Sequence, residues 1–476
     1  MRPDTILELP CYVAGKAVHS ETKLTVRCPY DGCPVGTVST VTSVEVDKAI
    51  EAALAPAVPL TRYERSTILD RARQMLEERR EEFALLISSE AGLCLRETRY
   101  EIGRASDVLR FAAIEALRDD GQIFSCDISP QGKARKIFTL REPLSLVLAI
   151  TPFNHPLNQV AHKVAPAIAA GTPIILKPSA KTPLTAIRFA ELLYEAGLPG
   201  RMLSVLLGPG EEVAERLVKD PRIDLVTFTG GERVGKHIAS TAGYKRLVLE
   251  LGGNDPLIVL DDADLDLAAH LAAEGSFRNS GQRCTAVKRI LVEQPVLEEF
   301  TKRFVEKAKN YRCGDPFDPE TVVGTVIDEA SATYLQTVLD EAVAAGAQVL
   351  LGGQREGALF PPTVITNVPR DARMIVSESF GPLAPIIAVR DLADAIAVAN
   401  STAYGLSSGV VTTNMNRAIE AVKGLRVGTV NINEVPGYRI ENSPFGGIKD
   451  SGLGIKEGVV EAIKCMTTVK TFSLPW

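Results

Sequence analysis

The sequence predicts an α/β protein with parallel sheets and crossover helices. From residue 144 onward, short β-prone runs alternate with helix-like stretches, and this order at regular spacing is typical of a parallel sheet. The chain has 476 residues, of which 45% are hydrophobic and 24% charged, so it can bury a large core in two or three domains. These proportions exclude disorder of the whole chain.

A helical region precedes the sheets. Residues 62–88 carry apolar residues on one helical face, with charged residues between them: Ile68, Leu69, Ala72, Met75 and Leu76. The first α/β series then has predicted strands at 144–150, 172–176, 202–207, 224–228 and 246–249, and predicted helices at 157–170, 185–196, 211–219 and 234–241.

A second α/β series follows Gly252 and Gly253. Its predicted strands are 257–260, 289–292, 348–350 and 386–389, and its predicted helices are 265–277, 295–310, 330–345 and 392–399. We therefore expect two α/β domains. Two β-like segments, 134–141 and 467–474, fit neither series, and one use for each is as an edge strand recruited by another subunit.

The charge balance disfavours nucleic acid and anionic membranes as partners. The 53 Lys and Arg residues against 59 Asp and Glu residues give a net charge of −6, and there is no basic block. Residues 1–10 lack the positive start and apolar run of a signal peptide, and no apolar stretch reaches the ~20 residues of a membrane helix. We expect a cytoplasmic protein.

The cysteines predict no metal site. The eight are scattered without a CxxC pair, and only five histidines are present to join them as ligands. Cys284 differs from the others because it stands in Asn279-Ser-Gly-Gln-Arg-Cys-Thr285, next to Arg283. A neighbouring guanidinium lowers the cost of forming a reactive thiolate, so Cys284 is a candidate nucleophile. A buried structural thiol is the alternative.

Other motifs place polar groups at predicted strand ends, where open α/β sheets bind ligands. Glu250 ends one strand and precedes Leu251-Gly-Gly-Asn-Asp255, so it is a candidate general base or a plain turn carboxylate. The turn Thr229-Gly-Gly-Glu-Arg-Val-Gly235 leads into a helix whose first amides could face a pyrophosphate, although it is not a G-x-G-x-x-G motif. Lys177 ends another strand, as a ribose or phosphate contact or as a solvated lysine.

Together, and in order, seven motifs resemble the aldehyde dehydrogenase superfamily over essentially the whole chain. They are Asn154 in Thr151-Pro-Phe-Asn-His-Pro156, the strand ending at Lys177, Phe228-Thr-Gly-Gly231, Glu250-Leu-Gly-Gly253, Gly281-Gln-Arg-Cys284, Glu378-Ser-Phe-Gly-Pro382 and Pro444-Phe-Gly-Gly-Ile-Lys-Asp-Ser-Gly452. The most specific are the Glu-Leu-Gly-Gly and Gly-Gln-x-Cys motifs at their family separation.

The resemblance implies oxidation of an aldehyde to an acid with NAD or NADP. Cys284 would attack the aldehyde, Asn154 and a backbone N–H would hold the oxyanion, and Glu250 would activate the water that hydrolyses the thioester. A catalytically silent or structural member of the family is an alternative of another class. It would be expected to lose one of these three residues, and all three are present.

The resemblance also implies the cofactor contacts. They are Thr151, Pro152, Phe153, Lys177, Ser179, Ala180, Phe228, Gly230, Gly231, Gly235, Leu251, Gly252, Glu378 and Phe380. Ala180 stands where the family has the carboxylate that selects NAD, so repulsion of a 2′-phosphate is removed and NADP becomes acceptable. Gly231 replaces the family's frequent serine, which lets the backbone approach the pyrophosphate more closely.

The family draws its aldehyde pocket from the positions of Arg104, His155, Arg283, Thr285 and Arg439. Three cationic groups and an imidazole suit a dianion better than a monocarboxylate. Surface or interdomain salt bridges are the alternative for Arg104 and Arg439. Within the family the set most resembles phosphonoacetaldehyde dehydrogenases, so oxidation of phosphonoacetaldehyde, as in phosphonate breakdown, is expected. Non-phosphorylating glyceraldehyde-3-phosphate dehydrogenase, or another semialdehyde dehydrogenase, is the alternative.

The implied fold is aldehyde dehydrogenase-like, with three parts. A Rossmann-type NAD(P)-binding domain is expected from residues 1–122 and 143–251, and an α/β catalytic domain from 252–452. Residues 123–142 and 453–476 are expected to form a small β oligomerisation flap. The family resemblance implies a homodimer or homotetramer.

Overall fold

The computed structural model describes residues 6–476, apart from the side chain of Glu211. Residues 1–5, which begin the predicted cofactor domain and the N-terminal segment expected not to be a signal peptide, lie outside the described residues. Between residues 6 and 476, no helix is long and apolar enough to cross a membrane. The same part of the chain contains no group of three or more His, Cys, Asp or Glu side chains that could hold a metal ion.

The chain begins with five strands and four helices. Strands β1–β5 are Leu7–Leu9, Cys11–Val13, Lys16–Val18, Lys23–Arg27 and Pro34–Ser39, and helices α1–α4 are Ser43–Leu54, Arg62–Glu78, Arg80–Ala91 and Leu95–Ala116. Thr42 and Thr61 form capping boxes with Glu45 and Glu64 at the starts of α1 and α2. The predicted helical region is confirmed, with a break at Arg79, and four residues of its apolar face are buried: Ile68, Leu69, Ala72 and Leu76.

The first large sheet has seven strands. The next elements are β6–β12 at Ile123–Ser125, Arg135–Pro143, Val147–Ile150, Ile174–Lys177, Leu203–Val205, Leu225–Thr229 and Arg246–Glu250, with α5–α8 at Asn158–Ala170, Leu184–Glu195, Arg216–Lys219 and Glu232–Thr241. The order β12-β11-β8-β9-β10-β2-β3 is parallel from β12 to β10, and β2 and β3 join it antiparallel. The predicted parallel sheet is confirmed.

The second large sheet also has seven strands. Strands β13–β19 are Pro256–Val259, Arg289–Glu293, Gln348–Leu351, Thr363–Thr366, Leu383–Val389, Ser407–Val411 and Thr429–Ile432, and helices α9–α14 are Leu265–Phe277, Leu297–Ala308, Glu329–Ala344, Arg373–Val376, Leu392–Asn400 and Met415–Gly424. Its order is β15-β16-β17-β14-β13-β18-β19, parallel except for β15. The sequence prediction missed β16, β18 and β19, which are four or five residues long and rich in Ser, Thr, Gly and Asn.

A small third sheet contains the two β-like segments that fit neither series. The chain ends with α15 at Val459–Cys465 and β20 at Thr467–Pro475. Strand β20 pairs antiparallel with β7 along its whole length, and β6 lies on the other side of β7. Within one chain only β20 is thus a long open edge, and β7 is central. Residues 459–466 do not join this sheet, although the sequence predicts that they do. Helix α15 packs on α5 instead and contributes Val459 to the hydrophobic core around the first large sheet.

Candidate active site

One cavity of about 320 Å³ brings together the three predicted catalytic residues. Asn154 follows β8, Glu250 ends β12, and Cys284 follows the turn after α9. The carboxyl end of β11 contributes Thr229 to the same wall. Parallel strands of the first sheet therefore deliver polar groups to this cavity at their carboxyl ends, while the chain after α9 supplies the thiol.

The turn before Cys284 has an unusual backbone that fixes the thiol's position. Asn279, Ser280 and Gly281 have φ angles of 56°, 54° and 69°. A Cβ on Gly281 would lie 2.3 Å from the carbonyl of Gly381, so only glycine fits there. The Asn279 side-chain amide donates to the backbone oxygen of Asn154 at 3.0 Å, which joins this turn to the loop after β8.

Asn154 is held from the opposite side by the same turn. Its buried side-chain amide donates to the backbone oxygen of Gln282 at 2.8 Å. The Gln282 side-chain oxygen in turn accepts from the backbone N–H of Ile327 at 2.8 Å. These bonds fix the orientation of the Asn154 amide beside Cys284, as an oxyanion donor requires.

The electrostatics of Cys284 differ from the expectation. Burial raises the pKa of the thiol to about 11, and Lys288 and Arg439 oppose this shift. The guanidinium of the neighbouring Arg283 donates to the backbone oxygens of Glu274 and Gly275 at 3.0 and 2.7 Å. Assistance of the thiolate by Arg283 stays a prediction, because Lys288 and Arg439 are the main cations that lower the pKa of the thiol.

Glu250 is a buried carboxylate facing a second carboxylate. Its Oε1 has no hydrogen-bond partner among the described residues. Burial raises its pKa well above the ordinary value, and the negative charge of Glu457 adds to this shift. Lys163 holds Glu457 by a 2.7 Å ion pair, and its Nζ also donates to Thr227 at 2.8 Å. A carboxyl with a raised pKa at the cavity wall is suited to accept a proton from water near neutral pH.

All five predicted substrate residues line the same cavity, but they differ in what surrounds them. Arg104 makes an ion pair with Glu441, whose other oxygen contacts His162. Burial alone would raise the pKa of Glu441, and Arg104 and His162 instead hold it far below its ordinary value. The salt-bridge alternative therefore applies to Arg104, and its charge is compensated.

Arg283 and Arg439 make no ion pair with any described residue. Arg439 lies over the Phe445 ring at 3.9 Å from its centroid. The Nε of Arg283 is buried without a hydrogen-bond partner within residues 6–476, and so is Nδ1 of His155, which lies 3.7 Å from Glu101. Burial lowers the pKa of Arg283 to about 10, so it remains charged at neutral pH. Thr285 adds a hydroxyl to this wall.

The predicted nicotinamide contacts include a pair of aromatic rings and a carboxylate held against the backbone. The Phe153 and Phe380 rings contact edge to face at 5.8 Å. A Cβ on Gly252 would lie 2.1 Å from the Glu378 carboxylate, and the backbone N–H of Gly253 donates to that carboxylate at 3.2 Å. A carboxylate held against bare backbone is suited to accept hydrogen bonds from a ribose.

The predicted adenosine and phosphate contacts lie near the carboxyl ends of strands of the first large sheet and at the start of α8. Helix α8 begins after Gly231, which has open space around it and makes no side-chain cap, so its first amides can meet a pyrophosphate. Thr151 is buried with an unpartnered hydroxyl, and burial lowers the pKa of Lys177. The remaining predicted contacts lie near the end of β11, in the loops after β8, β9 and β11, or in the first turn of α8: Phe228, Pro152, Ser179, Ala180, Gly230 and Gly235, the last packed against Leu251.

Sequence reasoning missed several charged residues of the site. Arg278 lines the cavity, forms an ion pair with Glu97 at 3.0 Å and lies over the Tyr100 ring. Lys288 is fully buried behind Cys284. Glu457 and Glu441 lie far along the chain from the groups they contact, so no local spacing could reveal them. Lys288 stands four residues after Cys284, and a cation so near a candidate thiol was the one available signal.

Comparison with known proteins gives a consistent result. Residues 16–472 match the aldehyde dehydrogenase family. The chain is 39% identical to the 3-sulfolactaldehyde dehydrogenase of Priestia megaterium over 457 residues, covering 96% of each. It is 39% identical to the sulfoacetaldehyde dehydrogenase of Neptuniibacter caesariensis over 409 residues, covering 86% of this chain and 89% of the relative.

A solved structure agrees with this. The NADP-dependent glyceraldehyde-3-phosphate dehydrogenase from Bacillus halodurans, complexed with NADP, superposes with a TM-score of 0.94 at 36% identity, covering 98% of this chain and 99% of the other. The fold and these matches are those of an aldehyde oxidoreductase. The chain belongs to the aldehyde dehydrogenase family and is an NAD(P)-dependent aldehyde dehydrogenase. The predicted fold class, enzyme class and cofactor are confirmed.

Proposed function

We propose that this enzyme oxidises small aldehydes that carry a tetrahedral anionic group, with phosphonoacetaldehyde as the first candidate. The observation that carries the proposal is the pair of arginines, Arg283 and Arg439, that line the cavity of Cys284 without a carboxylate partner in the described chain. Two guanidinium groups outside any direct ion pair favour a substrate with two negative charges. Phosphonates reach that charge and sulfonates do not.

Cys284 is the proposed nucleophile. Its thiolate attacks the carbonyl carbon and forms a thiohemiacetal, whose oxyanion accepts a hydrogen bond from the Asn154 amide. Bound NAD or NADP would supply the hydride acceptor, so that Cys284 would be left carrying an acyl thioester. Glu378, Phe153 and Phe380 form the proposed wall for the nicotinamide half, and the start of α8 is suited to the pyrophosphate. The buried donors and bare backbone of these sites fit a dinucleotide.

Glu250 is the proposed base for the second half of the reaction. Its carboxylate takes a proton from water, the resulting hydroxide attacks the thioester, and the acid leaves while Cys284 recovers its thiolate. The raised pKa of Glu250 requires deprotonation first, so hydrolysis should accelerate as the pH rises through that pKa. The presence of Cys284, Glu250 and Asn154 in one cavity favours an active enzyme over a catalytically silent or structural member of the family.

Sulfonate aldehydes are the second candidate, because two relatives at 39% identity are named for 3-sulfolactaldehyde and sulfoacetaldehyde. Glyceraldehyde 3-phosphate and carboxylate semialdehydes remain further alternatives. The deciding experiment measures kcat/KM for phosphonoacetaldehyde, sulfoacetaldehyde, glyceraldehyde 3-phosphate, succinate semialdehyde and propanal, each with NAD and NADP. A clear lead for phosphonoacetaldehyde supports the first candidate. Equal values for propanal would overturn the anion proposal and leave only the family assignment.

We further propose that the chain forms a homodimer or homotetramer through the small β sheet. Its open edge strand β20 exposes Val469, Phe472 and Leu474. Solvent-exposed strand edges of this length are normally paired or protected, and a second copy of the chain supplies a partner. Light scattering of the enzyme and of a Val469→Lys variant tests this, since a monomeric wild type would refute it. The cytoplasmic location stays a prediction.

A further inference from the structure

A buried lysine lies directly behind the proposed nucleophile, and the reaction steps described above do not use it. Lys288 has no exposed side-chain surface. Its ammonium donates to the backbone oxygens of Arg283 and Cys284 at 2.8 and 2.6 Å and forms a 3.1 Å ion pair with Glu378. One cation thus contacts both the backbone that carries the thiol and the carboxylate proposed to hold the nicotinamide ribose.

We propose that Lys288 is a positioning residue that fixes the Arg283–Cys284 backbone and ties the nucleophile electrostatically to Glu378. The two carbonyl bonds hold the backbone from which the Cys284 side chain projects. A lysine buried at such a place is costly unless its charge is used, because desolvation must be offset by the contacts it makes. The inference rests on Cys284 being the nucleophile.

The charges around the thiol have opposite effects. Lys288 and Arg439 oppose the burial that raises the pKa of Cys284, whereas the negative charges of Glu378 and Asp255 add to it. Burial also raises the pKa values of Glu378 and Asp255, that of Asp255 to about 8, and Lys288 is the main group opposing both shifts. Lys288 is therefore the cation shared by the thiol and by the two acids nearest to it.

This arrangement predicts how the Cys284 thiol titrates in the enzyme without cofactor. Without Lys288, the thiolate of Cys284 loses its main stabilising charge, so its titration moves to higher pH. Without the charge of Glu378, the ammonium is less compensated and one repulsive carboxylate is gone, so the titration moves to lower pH. A lysine that only filled space would leave the titration unchanged when it is replaced by methionine.

The experiment is the pH dependence of iodoacetamide alkylation at Cys284 in the enzyme without cofactor, followed by mass spectrometry of its peptide. The Lys288→Met variant should displace the profile to higher pH, slowing alkylation about tenfold at fixed pH for each unit of displacement. The Glu378→Gln variant should displace it to lower pH. In the double variant, the effect of Glu378→Gln should shrink, because the ammonium it compensates is gone.

Lys449→Met is the matched control. That lysine also donates to backbone oxygens, those of Thr402 and Asn400, but none of its contacts involves Cys284 or Glu378. An unchanged profile in Lys288→Met, or an equal displacement in Lys449→Met, overturns the proposal. If Lys288→Met does not fold, an unchanged profile in Glu378→Gln overturns it instead. Turnover that survives in Cys284→Ala refutes the proposed nucleophile separately, independently of the Lys288 result.

Discussion

Four arginines line the cavity, and they form two pairs in different electrical surroundings. Arg104 and Arg278 each face a carboxylate, Glu441 and Glu97, at hydrogen-bond distance. Arg283 and Arg439 face backbone oxygens or an aromatic ring instead. The first pair holds the cavity wall together, and the second leaves positive charge available to a substrate. An arginine near an active site is therefore evidence of anion binding only when no carboxylate compensates it.

The largest expected effect is on the free energy of unfolding, when an arginine that is paired with a carboxylate is replaced. Arg104→Met leaves the buried Glu441 with His162 alone, so the free energy of unfolding should fall by about 3–5 kcal/mol, as for other broken buried pairs. Urea denaturation measures it. Because the pKa of Glu441 is lowered in the folded protein, this contribution is present above the ordinary pKa of a glutamate and is lost as the pH falls below it.

The double variant Arg104→Met with Glu441→Gln is the control for that prediction. It removes the orphaned charge, so part of the lost stability should return. A single variant as stable as the wild type would show that the Arg104 charge is free, and the distinction between the two pairs would fail.

The next effect is on substrate selectivity, in the uncompensated pair. Arg439→Met and Arg283→Met should each lower kcat/KM for phosphonoacetaldehyde roughly 10- to 150-fold, the equivalent of about 1.5–3 kcal/mol for a lost charged hydrogen bond. Propanal carries no anion, so its kcat/KM should barely change in Arg283→Met, and in Arg439→Met it should fall less than that of phosphonoacetaldehyde, because the Arg439 charge also favours the Cys284 thiolate. Equal losses on both aldehydes would mean that these arginines only support the fold.

A third prediction concerns two like charges in the same cavity. Glu457→Gln removes the negative charge that helps to raise the pKa of Glu250 and leaves Lys163 uncompensated, and both changes lower that pKa. The pH at which thioester hydrolysis reaches half its maximum should therefore fall. Single-turnover measurement of acid release across pH checks this, with Lys449→Met as a control. An upward or absent shift would show that Glu457 does not act on Glu250.

The sequence predicts the fold well because periodicity and strand spacing are local properties. The strands from Leu144 to Glu250 were found by alternation, and all of them lie in one sheet. The strand starting at Thr429 was not predicted, because its short, polar sequence resembles that of a loop. It is a strand because it pairs with the neighbouring β18. The pairing of β7 with β20 was likewise invisible, since it joins segments at distant places in the chain.

The sequence predicted which residues line the site, but not which of their charges are compensated. Motif order located Cys284, Glu250 and Asn154, and the structure places all three in one cavity. Local sequence could not show that Arg104 forms an ion pair with Glu441, because compensation of its charge depends on a contact between distant segments. The charged residues near an active site can be counted from the sequence. Whether a charge is free to bind a substrate depends on the tertiary contacts of that residue.

The smallest effect sharpens the comparison with an ion pair that is more exposed to solvent. Lys181 and Asp328 also form an ion pair, but their side chains keep 47% and 36% of their exposure, whereas those of Arg104 and Glu441 keep 19% and 6%. Because water screens exposed pairs, Lys181→Met should change the free energy of unfolding by less than about 1 kcal/mol. The same urea assay used for Arg104→Met measures it. A loss as large as that of Arg104→Met would show that burial does not separate the two pairs, and that the Lys181 contact with the Phe153 ring contributes as well.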